Sequence, residues 1–231
     1  MALLDMQGRA ALVVGGGQGI GRAAAQALAR AGAAVAVLDA ESERAKAVAS
    51  ELEAEGARAL ALCADDTRAS DAERAVAESA RGLGGLDAVI DIVGSASWGS
   101  LLELDEATWE RDFAVNLKQH WYVARSAARC LIDARRGGAL CAVGSVSGVF
   151  SAANHGAYGA AKAGLLALVR TAAEEWCRAS SARRASRPPG RPDRSRSRRR
   201  RRSRAWRAPT TSRTPPSSSC PTSRVASPAR A

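Results

Sequence analysis

The order of apolar and amphipathic segments along the chain predicts alternating strands and helices. Over residues 1–178, short apolar runs alternate with longer segments whose apolar residues recur at helical spacing. Five runs are predicted to be strands: residues 9–14, 33–38, 58–63, 86–93 and 137–145. Five segments are predicted to be helices: residues 20–31, 42–55, 70–81, 106–134 and 158–178. This order predicts an α/β, Rossmann-like fold, in which a doubly wound parallel sheet lies between two layers of helices.

The last 53 residues have a composition of their own. They contain 16 arginines, no lysine and all eight prolines, and Val225 is their only aliphatic residue larger than Ala. Their net charge is +15 against −4 for residues 1–178, and the two together make the +11 of the chain. Because such a segment cannot bury a core, residues 179–231 are expected to form a disordered Arg/Ser/Pro-rich tail behind a single domain of residues 1–178.

A glycine-rich stretch, GGGQGIG at residues 15–21, lies directly between the first predicted strand and the first helix. Glycines at this position let backbone amides approach a pyrophosphate at the helix N-terminus. Asp39 ends the second strand, 18 residues after Gly21. A carboxylate there accepts hydrogen bonds from the adenosine ribose and repels a 2′-phosphate. The pattern predicts a dinucleotide site that favours NAD over NADP, although Arg22 or Arg44 would be compatible with NADP.

These motifs resemble those of the short-chain dehydrogenase/reductase family over roughly residues 6–178. The family's TGxxxGxG pattern is present with Val14 in place of threonine, and its YxxxK motif is present as YGAAK. A serine stands 13 residues before that tyrosine in GSVSG, and FAVNL supplies the asparagine of the family's active site. The resemblance therefore implies a catalytic set of four residues: Asn116, Ser145, Tyr158 and Lys162.

The resemblance also implies which residues contact the cofactor. The ADD segment after the third strand resembles the family's adenine-contacting segment, with Asp65 as the contact. The family's NNAG is DIVG here, which keeps Gly94 but puts Asp91 in the place of an asparagine. The implied cofactor-binding residues are Gly15, Gln18, Gly19, Ile20, Gly21, Asp39, Asp65, Gly94, Tyr158 and Lys162.

Elementary chemistry supports the catalytic assignments. A tyrosine phenol ordinarily has a pKa of about 10, so it needs a nearby positive charge to act as an acid/base near neutrality. Lys162 lies four residues after Tyr158, on the same face of a helix, and is implied to hold the nicotinamide ribose as well. Ser145 would bind the substrate oxygen and Asn116 would help to place a water.

The function implied is therefore an NAD(P)-dependent oxidoreductase that interconverts an alcohol and a ketone or aldehyde by hydride transfer. A 3-oxoacyl thioester reductase is one activity that the family suggests. The expected partner is a small-molecule substrate. Family members assemble through the long fourth helix and the helix that carries YxxxK, so a homo-oligomer is implied as well.

The resemblance ends where the tail begins. In the family a further strand, a Pro-Gly turn, a substrate-covering segment and a last strand follow, and residues 179–231 have no pattern of a strand. One hypothesis is a frameshift, because a GC-rich gene read out of frame encodes mainly Arg, Pro, Ala, Gly and Ser. The sheet would then lack its last strands. Two alternatives to the enzyme stay open: an impaired remnant that binds dinucleotide, and non-specific nucleic-acid binding by the tail.

The remaining features indicate a soluble cytoplasmic protein. No apolar run approaches the roughly 20 residues of a membrane helix, and the N-terminus lacks the basic region of a signal peptide. The five cysteines contain no CxxC pair and are interpreted as reduced thiols. No metal site is expected.

Overall fold

A computed structural model of the chain describes residues 5–150 and 152–185. The chain divides into two units, Met1–Pro188 and Pro189–Ala231, and every described residue belongs to the first. The second unit, and with it most of the predicted tail, lies outside the described residues. Expectations of disorder and of nucleic-acid binding concern that part of the chain.

Strands and helices alternate along the described residues as the sequence predicts. The strands are β1 (Ala10–Val14), β2 (Ala34–Asp39), β3 (Ala59–Cys63), β4 (Ala88–Asp91) and β5 (Ala139–Ala142). The helices are α1 (Gly19–Arg30), α2 (Ser42–Ala54), α3 (Ala69–Leu83), α4 (Glu106–Phe113), α5 (Gln119–Asp133) and α6 (Gly156–Ala185). The last helix thus continues past residue 178, where the sequence places the end of the domain.

The strands form one parallel sheet in the order β3-β2-β1-β4-β5. The chain moves outward from β1 to β3 and then returns to the other side of β1 with β4. This reversal makes a crevice at the carboxyl ends of β1 and β4, where ligands bind in sheets of this kind. The predicted doubly wound α/β fold is confirmed.

Both faces of the sheet are covered, and this explains the continuous apolar strands. In β1, Leu12 and Val14 pack into the core on one face, and Ala11 and Val13 pack into the core on the other. Alternation of side chains along a strand produces this division. In contrast, β5 is only partly buried, and no strand among the described residues pairs with its outer edge.

The long helix predicted over residues 106–134 is interrupted. Between α4 and α5 the chain forms one wider π turn, Ala114–Lys118, which contains Asn116. Single π turns of this kind are frequent at functional sites because they redirect one side chain without ending the helix. None of the helices in the described part of the chain is long and apolar enough to cross a membrane.

Candidate active site

Two glycines shape the loop between β1 and α1. Gly15 has a φ of +73°, in the left-handed region that favours glycine. A Cβ on Gly21 would overlap the carbonyl oxygen of Gly15, so the close packing of α1 against this loop requires glycine. The residue before α1, Gln18, makes no side-chain capping hydrogen bond, and the first turn contains no acidic residue. The first amides of α1 therefore suit an anion.

Asp39 is fixed at the carboxyl end of β2 beside this loop. One carboxylate oxygen accepts a hydrogen bond from Gly17 N at 3.0 Å, and the other accepts from Glu41 N at 3.0 Å. The residue is 7% exposed. Its negative charge thus faces the glycine loop in a defined orientation.

Two arginines near Asp39 are already paired with carboxylates. Arg22 makes a two-pronged contact with Glu51 at 2.8 and 3.0 Å, and Arg44 lies 2.9 Å from Glu41. An arginine that recognises a 2′-phosphate must turn its guanidinium toward it. In this structure both guanidinium groups face acidic side chains instead.

A cleft of about 400 Å³ lies at the carboxyl ends of β1 to β4, and we call it the carboxyl-end cleft. It brings together the predicted cofactor residues of the glycine loop, Asp39 and Gly94. Its lining consists of Gly15, Gln18, Gly19, Ile20, Gly21, Leu38, Asp39, Ala40, Ala64, Asp66, Ile92, Val93 and Gly94.

The structure does not bring Asp65 to this cleft. Asp65 is exposed, and its carboxylate accepts from Thr67 N in the turn that leads to α3. The neighbouring Asp66 lines the cleft in its place and is 9% exposed. Burial raises the pKa of Asp66 to about 7, and the nearby carboxylates of Asp91, Asp65 and Asp39 act in the same direction. The cleft therefore contains a buried acid that the sequence interpretation did not single out.

Asn116 is fully buried and holds the segment that follows Gly94. Its Nδ2 donates to the carbonyl oxygens of Ser95 at 2.6 Å and Asp112 at 2.9 Å, and its Oδ1 accepts from Ser95 N at 3.1 Å. The bond to Asp112, four residues earlier, joins the π turn to the end of α4. Asn116 therefore couples α4 and the π turn to the floor of the cleft.

Ser145 and Tyr158 lie on segments that pack closely together. Ser145 follows β5, and its side chain accepts from Ser147 N at 3.2 Å at the start of a short 3-10 turn, Val146–Gly148. A Cβ on Gly148 would lie 2.8 Å from the backbone of Lys162, and a Cβ on Gly159 would lie 2.9 Å from Ser147 O. Glycine at both positions lets the 3-10 turn contact the first turns of α6, which carry Tyr158.

Lys162 lies one helical turn after Tyr158 on α6 and is 2% exposed. Its Nζ donates to Val143 O at 3.0 Å and lies 3.5 Å from Val93 O, just beyond the ends of β5 and β4. Burial lowers the pKa of Lys162, and the negative charge of Asp91 opposes this effect. The ammonium group thus sits at the carboxyl edge of the sheet.

The side chain of Asp91 points toward α5, although the following residues line the cleft. Its Oδ1 accepts from Gln119 Nε2 at 3.2 Å, and its Oδ2 lies 3.0 Å from His120 Nδ1. All three residues are at most 4% exposed. The charge that replaces the family's asparagine is therefore buried behind the cleft.

A family model described as short chain dehydrogenase matches residues 9–181. The chain belongs to the short-chain dehydrogenase family. The resemblance seen in the sequence is confirmed, and with it the assignment to a family of oxidoreductases.

Curated relatives match this short-chain dehydrogenase over part of their length. An uncharacterised NAD-dependent oxidoreductase of Mycobacterium tuberculosis is 38% identical over 107 residues, which is 46% of this chain and 39% of that protein. The 2-(S)-hydroxypropyl-CoM dehydrogenase 3 of Xanthobacter autotrophicus is 32% identical over 113 residues, 49% of this chain and 44% of that protein. The chain thus spans less than half of these two relatives.

Solved structures of the family extend the match. The crystal structure of a short-chain type dehydrogenase/reductase from Mycobacterium marinum superposes with a TM-score of 0.73 at 29% identity. The match covers 76% of this chain and 70% of that one. The fold of the described residues is therefore that of the family.

A second and larger cleft, of about 480 Å³, lies at the opposite edge of the sheet. Its cations are engaged by groups of the protein: Arg58 donates to the carbonyl oxygens of Gly82 and Leu83 at the end of α3, and Arg9 and Arg136 both contact Asp87. Cations stabilise helix C-termini in this way. The glycine loop, Asp39 and Gly94, which are predicted to bind the cofactor, line the carboxyl-end cleft and not this one.

Two residues near Tyr158 were not singled out by the sequence interpretation, His155 and Trp98. His155 lies between two aromatic rings, with its centroid 3.8 Å from that of Trp98 and 5.4 Å from that of Tyr158. Its Nδ1 is 3.2 Å from Ser147 Oγ. His155 stands three residues before the YxxxK tyrosine, and this spacing could have drawn attention to it. Nothing in the sequence indicates that Trp98 contacts His155.

Proposed function

We propose that this chain is an NAD-dependent oxidoreductase that interconverts an alcohol and a ketone or aldehyde by hydride transfer, with Tyr158 as the acid/base. The observation that carries the proposal concerns Gly94, which lines the carboxyl-end cleft. A Cβ on Gly94 would lie 3.1 Å from Asn116 Oδ1 and 3.2 Å from Lys162 Nζ. The cleft thus adjoins two residues of the catalytic set, and Tyr158 is one turn away.

The residues of the cleft fit a dinucleotide. The uncapped amides at the start of α1 would hold the pyrophosphate, and Asp39 would accept hydrogen bonds from the adenosine ribose. The absence of a side chain at Gly94 leaves room for the nicotinamide end beside Lys162. When bound, NAD supplies the carbon that accepts or donates the hydride.

The chain itself would handle the proton. Tyr158 would take the proton of an alcohol or return it to a carbonyl oxygen, with Lys162 one helical turn away on α6. Ser145 would hold the same substrate oxygen by a hydrogen bond. Asn116, held by Ser95 and Asp112, would keep the floor of the site in place and help to order a water for proton relay.

Three observations support NAD over NADP. The carboxylate of Asp39 is held by two backbone amides, and Arg22 and Arg44 are both paired with glutamates. The Mycobacterium tuberculosis relative is named as NAD-dependent. A 2′-phosphate would meet a fixed negative charge with no arginine turned toward it.

Replacing Asp39 with Asn tests this preference. Because the substitution removes the charge and nearly keeps the shape, the ratio of kcat/KM with NAD to kcat/KM with NADP is expected to fall by about tenfold, which corresponds to 1.4 kcal/mol. Steady-state kinetics with each cofactor measures the ratio. Glu43→Gln, which removes an exposed carboxylate on α2, is the control and should leave the ratio unchanged. A ratio unmoved by Asp39→Asn would refute the assignment.

The function itself is tested by incubating the full chain with NAD and a panel of alcohols, or with the reduced cofactor and ketones and aldehydes. Appearance or loss of the absorbance of reduced nicotinamide reports turnover. A dependence on both cofactor and substrate is expected. Binding of NAD without turnover of any compound in the panel would instead support the impaired, dinucleotide-binding alternative.

One observation favours that alternative as a second candidate. The outer edge of β5 pairs with no strand in residues 5–150 and 152–185, and Cys141 on this strand is exposed. Ser145 directly follows β5, so a mobile edge would misplace the substrate end of the site while the glycine loop, on the central strand, would be unaffected. No observation bears on non-specific nucleic-acid binding by the tail, because residues 186–231 lie outside the described residues.

A further inference from the structure

Exposed apolar side chains are concentrated on two segments of the chain, the one that follows β4 and the one that follows β5. Nine large apolar side chains are exposed among the described residues, and six of them lie on these two segments. We call these six side chains the apolar rim: Trp98, Leu101, Leu102, Val146, Val149 and Phe150. A concentration of exposed apolar groups marks a surface that binds a ligand or a partner.

Both segments of the rim contact the helix turns that carry Tyr158. On the first segment, Leu101 packs so closely on Gly156 that a Cβ there would overlap the leucine side chain. The second segment contains the 3-10 turn, Val146–Gly148, which contacts the first turns of α6. The apolar rim therefore adjoins Tyr158 on two separate segments.

Trp98 is exposed and yet fixed in place. It is 72% exposed. The residue before it, Ser97, donates to the carboxylate of Asp112 from its N at 3.3 Å and from its Oγ at 2.8 Å. The residue after it, Gly99, donates from its N to Asn154 O at 3.1 Å. A rigid aromatic side chain supplies a large contact area and loses little conformational entropy when a ligand covers it.

The ring of Trp98 is connected to that of Tyr158 through His155. The His155 ring lies 3.8 Å from the first ring and 5.4 Å from the second, measured between centroids. Ser147 Oγ, 3.2 Å from His155 Nδ1, orients the imidazole between them. Trp98 thus provides an exposed apolar surface one ring away from the proposed acid/base.

The composition of the chain narrows the choice of what covers the rim. Residues 186–231 contain 14 arginines but only two large apolar side chains, Trp206 and Val225. Burying guanidinium groups against an apolar surface is costly, so the tail is a poor cover for the rim. A second copy of the chain seated on the rim would close the approach to Tyr158. A substrate would cover the same surface and leave the site open between turnovers.

We propose that the substrate carries an extended apolar group, which packs on the apolar rim with Trp98 as a rigid platform, so that Trp98 determines specificity. The inference rests on the proposed function, because it takes the substrate oxygen to lie at Tyr158. A small polar substrate would leave the rim in water, whereas each apolar carbon that covers the rim removes apolar surface from water. The substrate class is therefore an alcohol, ketone or aldehyde with a long alkyl chain or an apolar ring.

Binding of a ketone series to the full chain in the presence of NAD tests the substrate class without turnover. Because NAD and a ketone are both oxidised, no hydride is transferred and the complex persists. Ligand-observed NMR follows the proton signals of butan-2-one, hexan-2-one and octan-2-one. Affinity is expected to rise by about twofold to fourfold per methylene, since a fully buried methylene is worth about fourfold. Equal affinities for butan-2-one and octan-2-one would overturn the inference.

Variants on both segments test the rim itself. Trp98→Ala and Phe150→Ala are each expected to lower the rise in affinity to less than about 1.5-fold per methylene, and Trp98→Phe should retain most of it. Trp121→Ala removes a partly exposed tryptophan from α5 and should leave the rise unchanged. Circular dichroism establishes which variants fold. A wild-type rise in every folded variant of Trp98 and Phe150 would contradict the proposal.

The indole N–H signals of the protein locate the bound ketone. The chain has five tryptophans, and the signal that disappears in Trp98→Phe belongs to Trp98. Octan-2-one is expected to shift this signal and to leave that of Trp121, identified in Trp121→Ala, in place. A Trp98 signal that does not move at saturating octan-2-one would exclude the rim as the binding surface.

Sedimentation velocity tests whether a second copy covers the rim instead. The wild type and Trp98→Ala are expected to sediment as the same species over the same range of concentration. A smaller species in folded Trp98→Ala would assign the rim to a contact between copies and overturn the proposal.

Kinetics connects the rim to turnover. The ratio of kcat/KM for octan-2-ol to kcat/KM for butan-2-ol is expected to fall by about tenfold in Trp98→Ala, mainly through a higher KM for octan-2-ol. The ratio should not change in Trp121→Ala. An unchanged ratio in Trp98→Ala would refute a role in specificity. If the wild type turned over no compound of the panel, the proposed function would fail, whereas ketone binding would still decide the role of the rim.

Discussion

Replacing Tyr158 with Phe is expected to lower kcat/KM by about 10²- to 10⁴-fold, the usual contribution of a positioned general acid/base. The substitution removes only the phenolic oxygen and leaves the ring, whose centroid is 5.4 Å from that of His155. Folding and NAD binding should therefore be preserved. Steady-state kinetics with the best substrate of the panel, together with titration of the protein with NAD, separates loss of chemistry from loss of binding.

The chain provides a matched control for this experiment. Its other tyrosine, Tyr122, lies on α5 beside Trp121, at a ring distance of 5.2 Å. Tyr122→Phe makes the same chemical change away from the carboxyl-end cleft and should leave kcat/KM within about twofold. Turnover that survives in Tyr158→Phe as in Tyr122→Phe would show that another group exchanges the proton.

Replacing Asp66 with Asn is expected to stabilise the folded chain at alkaline pH. The pKa of Asp66 is about 7 in the folded protein and lies near 3.8 when the group is exposed. Between pH 3.8 and about pH 7 the carboxyl group is protonated in the folded chain and ionised in the unfolded chain. The free energy of unfolding therefore falls as the pH rises through this range. Above about pH 7 the free energy of unfolding has lost the whole of this contribution.

At about 1.4 kcal/mol per pKa unit, this ionisation costs up to about 4 kcal/mol. Asp66→Asn should therefore raise the free energy of unfolding by about 2–4 kcal/mol near pH 8 and by little near pH 4. Urea unfolding at the two pH values measures the difference. Asp65→Asn, on the exposed neighbour, is the control and should show a much smaller pH dependence, because Asp65 supplies only part of the effect that raises the pKa of Asp66. Equal effects of Asp66→Asn at both pH values would contradict the raised pKa.

Asp65 and Asp66 show how far a motif can place a side chain. The ADD segment follows a strand whose carboxyl end meets the crevice, and two of its residues, Ala64 and Asp66, line the cleft. Which of the two carboxylates enters the cleft depends on the turn after β3, where Asp65 accepts a hydrogen bond from Thr67 N. A one-residue difference of this kind depends on local hydrogen bonds that a motif does not specify.

Asn116 shows that a motif on a helix also leaves the local backbone geometry unspecified. Its position in FAVNL predicted an active-site residue on the long fourth helix, and the structure places it beside Gly94. The π turn that contains it was not predicted, because helical periodicity over residues 106–134 continues through one widened turn with little change. The bonds of Asn116 to Ser95 and Asp112 could be seen only once the two segments were packed together.

By itself the sequence determined the α/β order of elements, the parallel sheet and the glycine loop before α1, and its resemblance to the family suggested a catalytic set. These depend on local periodicity and on residue spacing, which the chain carries whatever its environment. The tertiary structure decided that Asp66 enters the cleft, that Arg22 and Arg44 are occupied, and that Asp91 faces His120. Burial and charge pairing decide such facts, because both arise from residues far apart in the sequence.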